Sequence, residues 1–150
     1  MGGFLNTNFQ AFVHRGNTKN FRENTIEAFQ DAKDLGFQYL ETDLRETKDK
    51  KIITFHDPDF ERVCGEKIKV IDIDHTKLNN LNFFKSGYTP TLNELLEEFP
   101  DTFFNIDLKV SRIGRKVLKI LKKVSIKDGV RSIKVLPSTH LSFSIKIKFS

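Results

Sequence analysis

Two histidines in the sequence each follow a short apolar run and precede a charged residue. His14 is followed by Arg15 and a glycine, and His56 is followed by Asp57 and a proline. The unperturbed pKa of imidazole lies near neutrality, so one histidine could accept a proton from a nucleophile while the other donates one to a leaving group. Each pair taken alone is also typical of a surface turn, because Asp before Pro favours turn initiation.

Three acidic residues and a lysine occupy two further stretches that alternate between polar and apolar residues. Glu41 and Asp43 lie two residues apart, so their carboxylates would project from one side of a strand, roughly 6.5–7 Å apart at the backbone. Asp107 and Lys109 repeat this spacing. Buried carboxylates need a cationic partner or a metal, and a third carboxylate would complete an oxygen site for Mg²⁺ or Ca²⁺. With Arg45 and Lys109 nearby, a structural ion-pair network is the alternative.

The elements that must position these residues alternate between strands and helices. The pattern predicts strands at 10–13, 37–45, 52–55 and 102–109, and helices at 25–35, 91–99 and from Ser111 onward. Asn24 and Glu27 have the spacing of a capping box at the start of the first helix, and Gly36 can end it. This alternation indicates an α/β fold with a parallel sheet. In a parallel barrel, the charged strand ends would share one rim.

Several short motifs follow one another in an order that resembles a known family. They are HRG at 14–16, ENTIEAF at 23–29, ETD at 41–43, HD at 56–57, TPTLNELL at 89–96 and NIDLK at 105–109. This series resembles the successive motifs of the glycerophosphodiester phosphodiesterase family and covers about residues 12–109. The resemblance implies a (β/α)₈ barrel that hydrolyses glycerophosphodiesters, which are small molecules, to an alcohol and glycerol 3-phosphate with a divalent metal, Mg²⁺ or Ca²⁺.

Seven residues match positions that have functional roles in this family. The resemblance implies proton transfer by His14 and His56, phosphate binding by Arg15 and Lys109, and metal binding by Glu41, Asp43 and Asp107. The family usually has Glu where Asp107 stands. Because Asp is one methylene shorter, the resemblance leaves open the metal affinity and the choice of metal.

The chain length and the distribution of charge predict the domain organisation. A complete barrel of this type takes about 250 residues, so a chain of 150 residues supplies about the first half. Residues 1–109 have a net charge of −5, whereas residues 110–150 have +10. The pattern also breaks after Val124. We therefore predict a partial barrel domain at 1–124 and an atypical basic tail at 125–150, as in a truncated or frame-shifted member.

Three functions remain open from the sequence. The chain could be a metal-dependent phosphodiesterase, a non-catalytic remnant of that family, or a binding protein whose basic tail docks on nucleic acid or membrane. The tail lacks a recognisable nucleic-acid module, so a solvated helix face is the favoured interpretation of its charge. An incomplete barrel would leave sheet edges open, which predicts self-association.

The cysteine content, the N-terminal residues and the lengths of the apolar segments bear on the cellular compartment. Cys64 is the single cysteine and cannot form an internal disulfide, which favours a reducing environment. The N-terminal residues do not resemble a signal peptide, and no window is apolar enough for a membrane span. We therefore expect a cytoplasmic protein without a transmembrane segment.

Overall fold

The computed structural model describes residues 12–81, 87–128, 132–137 and 143–148. The strands in this part of the chain are β1 (Val13–His14), β2 (Tyr39–Glu46), β3 (Ile52–Thr54), β4 (Asp59–Phe60), β5 (Glu66–Lys69), β6 (Phe103–Leu108), β7 (Ser132–Pro137) and β8 (Phe143–Lys148). The helices are α1 (Ile26–Asp34), α2 (Glu61–Cys64), α3 (Leu92–Glu98) and α4 (Gly114–Asp128), with 3₁₀ turns at Val70–Asp72, His75–Asn80 and Ser111–Ile113. Part of the first predicted strand, at residues 10 and 11, lies outside the described residues.

The main sheet has the strand order β1-β2-β6-β8-β7, and β3 also pairs with β2. Strands β1 and β6 run parallel to β2, with His14 opposite Glu41 and Asp43 opposite Asp107. Asn105 of β6 lies opposite Glu41. The register therefore places the polar residues of three strands at neighbouring positions of one sheet.

The prediction of a parallel sheet is wrong for β3, and the two C-terminal strands are antiparallel as well. Strand β3 runs antiparallel to β2, β8 runs antiparallel to β6, and β7 and β8 form an antiparallel pair. Only five residues separate β2 from β3, and a parallel pair needs a crossover of a dozen or more. The short connection therefore makes β3 turn back along β2. Its end lies beside the middle of β2, where the Phe55 N–H donates to the Asp43 carbonyl at 2.9 Å.

The main core lies where one face of the sheet packs against three helices. Strand β6 shows this most clearly, because Phe104, Ile106 and Leu108 are buried while the alternate residues are only partly buried. Phe29 of α1 contacts Phe104 edge-to-face, with the ring centroids 6.0 Å apart. Buried residues of α3 and α4 complete the same cluster. The residues that alternate with this core are the ones with polar side chains on β2 and β6.

The helix starts differ in part from the prediction. At α3, Thr91 and Glu94 form the predicted capping box, with the Thr91 hydroxyl accepting from the Glu94 N–H. At α1, the capping residue is Thr25 and not Asn24, because the Thr25 hydroxyl accepts from the N–H of Ala28 at 3.2 Å. Asn24 instead adopts a left-handed conformation with φ of 58° and is 1% exposed. Its side chain is therefore available to the sheet.

Helix α4 explains the basic charge that follows Lys109. It begins at Gly114 after a 3₁₀ turn, and Ser111 does not cap it. Val117, Leu121 and Val124 are buried in the core, whereas basic side chains such as Lys119, Lys122 and Lys123 are exposed. A solvated helix face therefore accounts for the charge of α4. The predicted boundary at residue 124 falls within this helix, and the division of the chain there stays a prediction.

None of the helices in the described part of the chain combines the length and apolar character that crossing a bilayer requires.

Gly16 shapes the turn that leads from β1 to α1. Its φ is +81°, and a Cβ atom there would lie 2.7 Å from the backbone carbonyl carbon of Ala28. Gly36 has a similar φ of +90° but has open space around it. Substituting these two glycines therefore separates two effects. Backbone strain would arise at both positions, and steric overlap would arise only at Gly16.

We expect Gly16→Ala to destabilise the chain more than Gly36→Ala. The left-handed conformation costs alanine roughly 1–2 kcal/mol at either position, and overpacking adds roughly 1–3 kcal/mol at Gly16. Urea denaturation of both variants measures this difference. Equal losses would show that the contact between the turn and Ala28 is not tight.

Candidate active site

The structure brings six of the seven predicted site residues into one network of charged contacts. These six are His14, Arg15, Glu41, Asp43, Asp107 and Lys109, from the end of β1, the middle of β2 and the end of β6. The seventh, His56, follows β3 and reaches Arg15 only through three further residues. The ends of β1 and β6 therefore lie beside the middle of β2, and β3 approaches β2 from the opposite direction.

Asp43 is the centre of this network. Its side chain is 1% exposed, with Oδ2 lying 2.8 Å from Arg15 Nε and Oδ1 lying 2.9 Å from Lys109 Nζ. The buried amide of Asn24 donates to Oδ2 at 3.2 Å, and its oxygen accepts from the Thr42 hydroxyl at 2.8 Å. A buried carboxylate is tolerated when cations and hydrogen-bond donors surround it. Asp43 meets this condition from three different elements.

Glu41 has a less balanced environment than Asp43. Burial, and next the neighbouring charge of Asp43, raise the pKa of Glu41 to about 8, although the backbone N–H of Arg15 donates to its carboxylate at 3.2 Å. The carboxyl group of Glu41 therefore holds a proton at neutral pH unless a further cation is present. Glu41 Oε2 lies 3.7 Å from His14 Nε2.

His14 is the most exposed member of the network, with 68% of its side chain accessible. Partial burial of the ring, and next the positive charge of Arg15, lower the pKa of His14 below its ordinary value. A neutral imidazole can accept a proton as well as donate one after protonation. The exposed position also leaves the ring open to a small molecule from solvent.

Lys109 joins β6 to β2. Its Nζ lies 2.6 Å from Asp107 Oδ2 and 2.9 Å from Asp43 Oδ1. Burial acts to lower the pKa of Lys109, but its hydrogen bonds with Asp107 and Asp43 outweigh burial and raise it. The other oxygen of Asp107 and the amide oxygen of Asn105 are shielded from solvent and have no hydrogen-bond partner within the described residues. This part of the site therefore has acceptor oxygens in excess of donors.

The predicted metal ligands Glu41, Asp43 and Asp107 fit a divalent cation by their chemistry. They supply the hard oxygens that Mg²⁺ and Ca²⁺ prefer, and one buried oxygen of Asp107 has no hydrogen-bond partner within the described residues. Across residues 12–81, 87–128 and the two described C-terminal strands, no three acidic, His or Cys side chains are already grouped for metal binding. Arg15 and Lys109 contact the carboxylates instead, so the metal site stays a prediction.

His56 belongs to a second set of charged contacts, after β3. Its Nδ1 lies 2.7 Å from Asp57 Oδ1, and its carbonyl accepts from Arg45 Nε at 2.7 Å. Burial acts to raise the pKa of Asp57, but hydrogen bonds with His56 and Arg62 outweigh burial and lower it. Asp57 is therefore ionised at neutral pH and lies against the imidazole.

Sequence reasoning missed three residues that organise the site. Asn24 holds Asp43 and Thr42, Glu23 accepts from Arg15 Nη1 at 3.2 Å, and Arg62 contacts both Glu23 and Asp57. Glu23 and Asn24 lie in the ENTIEAF motif, but Asn24 was interpreted as a helix cap and Glu23 received no role. No periodicity or spacing singles out Arg62, because Glu23 lies 39 residues earlier and the contact with Asp57, five residues earlier, follows no helix or strand spacing.

The fold matches solved structures of phosphodiesterases. The glycerophosphodiester phosphodiesterase of Thermotoga maritima is 34% identical, with a TM-score of 0.68 over 75% of this chain and 49% of that one. A phosphodiesterase of Oleispira antarctica, solved with its product sn-glycerol-3-phosphate, has a TM-score of 0.67 at 21% identity and covers 79% and 52%. These neighbours imply a TIM-barrel fold, of which this chain forms a partial, N-terminal portion with mixed strands and helices.

The sequence profile of the glycerophosphoryl diester phosphodiesterase family matches residues 14–134, and the chain belongs to this family. The human lysophospholipase D GDPD1 is 32% identical over 125 residues, which cover 73% of this chain and 40% of that protein. A probable glycerophosphodiester phosphodiesterase of Mycobacterium tuberculosis is 32% identical over 122 residues, covering 80% and 46%. The chain spans about half the length of the curated relatives it matches. The predicted family membership is confirmed.

Proposed function

We propose that this chain supplies catalytic residues for the metal-dependent hydrolysis of glycerophosphodiesters to an alcohol and glycerol 3-phosphate. The observation that carries the proposal is the meeting of two cations, three carboxylates and an exposed histidine around Asp43. Membership of the family supports the reaction class.

Arg15 and Lys109 are suited to hold the anionic phosphate. Both are only partly exposed, at 15% and 21%, and both contact Asp43 from opposite sides. Guanidinium and ammonium groups stabilise charge that develops on phosphoryl oxygens during transfer. We propose that they exchange carboxylate contacts for phosphate contacts when substrate binds, because each carries donors that can serve either anion.

His14 and His56 are suited to move the protons. The lowered pKa of His14 favours the neutral imidazole that a general base needs. The contact of His56 Nδ1 with Asp57 leaves Nε2 as the nitrogen that can face a substrate oxygen. One histidine would take the proton of the attacking hydroxyl or water, and the other would protonate the leaving alkoxide.

The proposed ligands of the divalent metal, Mg²⁺ or Ca²⁺, are Glu41, Asp43 and Asp107. When bound, the cation would offset the negative charge of the phosphodiester. Its ligands would be free of Arg15 and Lys109 if those two turn toward phosphate. The shorter Asp107 places its carboxylate nearer to β6 than glutamate would, which bears on the choice of metal.

The proposal extends to where and how the chain acts. The single Cys64 supports a cytoplasmic location, and the reaction class belongs to lipid and glycerol metabolism. Sheet edges β1 and β7 each have a paired neighbour on one side within the described sheet, so self-association through an edge is proposed as well.

A hydrolysis assay on the purified chain tests the function. We expect release of glycerol 3-phosphate from glycerophosphocholine in the presence of Mg²⁺ or Ca²⁺, loss of the activity with EDTA, and recovery when the metal is returned in excess. Size-exclusion chromatography and circular dichroism on the same sample establish that it is folded and monodisperse. If a folded, monodisperse sample released no product at any metal concentration, the proposed activity would be wrong. The chain would then be a non-catalytic member of the family.

A further inference from the structure

Arg62 links the segment after β3 to the loop that precedes α1. Its Nε donates to Asp57 Oδ2, and its Nη2 donates to Glu23 Oε1. Glu23 Oε1 also lies 3.2 Å from Arg15 Nη1. A continuous series of contacts therefore runs from His56 through Asp57, Arg62 and Glu23 to Arg15.

The geometry decides which nitrogen of His56 carries the proton. An ionised carboxylate can only accept hydrogen bonds, so the 2.7 Å contact with Asp57 requires a hydrogen on His56 Nδ1. The Nε2 atom is then the unprotonated nitrogen of the neutral ring. Because Asp57 Oδ2 accepts from Arg62 on its other side, the carboxylate cannot rotate away from the imidazole without losing that second bond.

We propose that Arg62 is a positioning residue that holds Asp57 against His56 and thereby sets the tautomer and orientation of the imidazole relative to Arg15. The inference deepens the proposed function and rests on it for the role of His56. Arg62 does not contact the predicted metal ligands or the phosphate-binding Lys109, and it acts through Asp57 and Glu23.

If Arg62 only stabilised the fold, replacing it would lower the stability of the chain and leave the tautomer of His56 unchanged. The Arg62 side chain is 52% exposed, and ion pairs of exposed side chains contribute little to stability. Replacing Arg62 should therefore barely change the midpoint of unfolding. A planar guanidinium can contact Asp57 and Glu23 through separate nitrogens, whereas a lysine ammonium is a single point charge. Lysine should thus rescue the charge but not the geometry.

The first measurement reads the tautomer directly by long-range ¹⁵N–¹H NMR of the imidazoles, at a pH where they are neutral, with His56 assigned from a His56→Gln variant. We expect the Nδ1–H form in the natural chain. In Arg62→Gln and Asp57→Asn, we expect the Nε2–H form to gain population. Arg62→Lys should lie between the two. An unchanged His56 spectrum in Arg62→Gln overturns the proposal.

The second measurement separates turnover from binding. We expect Arg62→Gln to lower kcat roughly 10- to 100-fold, the range seen when the outer partner of a functional histidine is removed, with KM changed little. Arg115→Gln, a loss of the same charge at an exposed position of α4, is the control and should retain full activity. If Arg62→Gln unfolds the chain, Arg62→Lys replaces it as the test variant. The proposal is overturned if Arg62→Lys keeps both the His56 tautomer and the kcat of the unsubstituted chain.

The two measurements also distinguish this inference from the proposed function. A tautomer that responds to Arg62 in a chain without hydrolytic activity supports the positioning role and counts against the activity. Hydrolysis by the natural chain with no response of either tautomer or kcat to Arg62→Gln supports the activity and overturns the positioning role.

Discussion

Replacing His14 or His56 with alanine is expected to lower kcat for glycerophosphodiester hydrolysis by about 10²–10⁴-fold, the usual contribution of one general acid or base. His14 is 68% exposed and His56 is 33% exposed, so neither variant leaves a large cavity. We expect the free energy of unfolding to fall by no more than about 1 kcal/mol, as for the loss of one hydrogen bond. Steady-state kinetics and urea denaturation measure the two effects.

The two histidine variants should differ in how a second change affects them. His56→Ala removes the partner of Asp57, so adding Arg62→Gln to it should cost little more activity. His14→Ala leaves that partner in place, and adding Arg62→Gln should lower kcat further. Such non-additivity is expected of residues in one network.

His75 provides the matched control for both histidines. Its backbone N–H donates to Asp49 Oδ1 at 2.9 Å, its side chain has no hydrogen bond among those described, and it has no proposed role. His75→Ala should keep the full rate. If His75→Ala lost as much activity as the other two, general damage to the fold would explain all three results. Retention of most activity in His14→Ala or His56→Ala would remove that histidine from the mechanism.

Asp43→Asn is expected to lower the free energy of unfolding by about 3–5 kcal/mol, because it removes the buried anion at the centre of the network, although Arg15 keeps Glu23 and Lys109 keeps Asp107 as partners. Arg15 and Lys109 both depend on this carboxylate, and both are largely shielded from solvent. Asparagine has nearly the same shape, so the loss of charge and not a cavity is tested. Thermal and urea unfolding at neutral pH measure the change.

A competing effect makes the lower end of this range the expected value. The charge of Asp43 is the second cause of the raised pKa of Glu41, so its removal relieves one repulsion. Arg15 and Lys109 each lose a contact in return. The stability lost with these two contacts exceeds the stability gained at Glu41. The variant should also lose metal-dependent hydrolysis.

Asp107→Asn is the matched control for Asp43. Asp107 is 21% exposed and contacts only Lys109 among these cations, and Lys109 would keep its contact with Asp43. We expect Asp107→Asn to lower the free energy of unfolding by about 1 kcal/mol or less, because screening by solvent weakens a partly exposed ion pair. If Asp43→Asn proved as stable as the natural chain, the ion pairs around Asp43 would not be what holds the three strands together.

The sequence by itself determined much of the local structure and the family of the chain. Alternation predicted β2 and β6, and capping and periodicity predicted α1 and α3 to within one or two residues at each end. The order of the short motifs predicted the family, which the profile match confirms. These features are local, because the side chains of a strand or helix take their direction from the spacing of neighbouring residues.

Only the tertiary structure decided how these residues contact one another. It showed that β3 runs antiparallel to β2, that Asn24 turns toward Asp43 and does not cap α1, and that Arg62 meets Glu23, which lies 39 residues earlier. Strand direction depends on the length of the connection, and contacts between loops depend on the register of strands far apart in the chain. A pattern read along one segment has no access to either, so the seven candidate residues could be named from the sequence, while Arg62 and the contacts between segments could not.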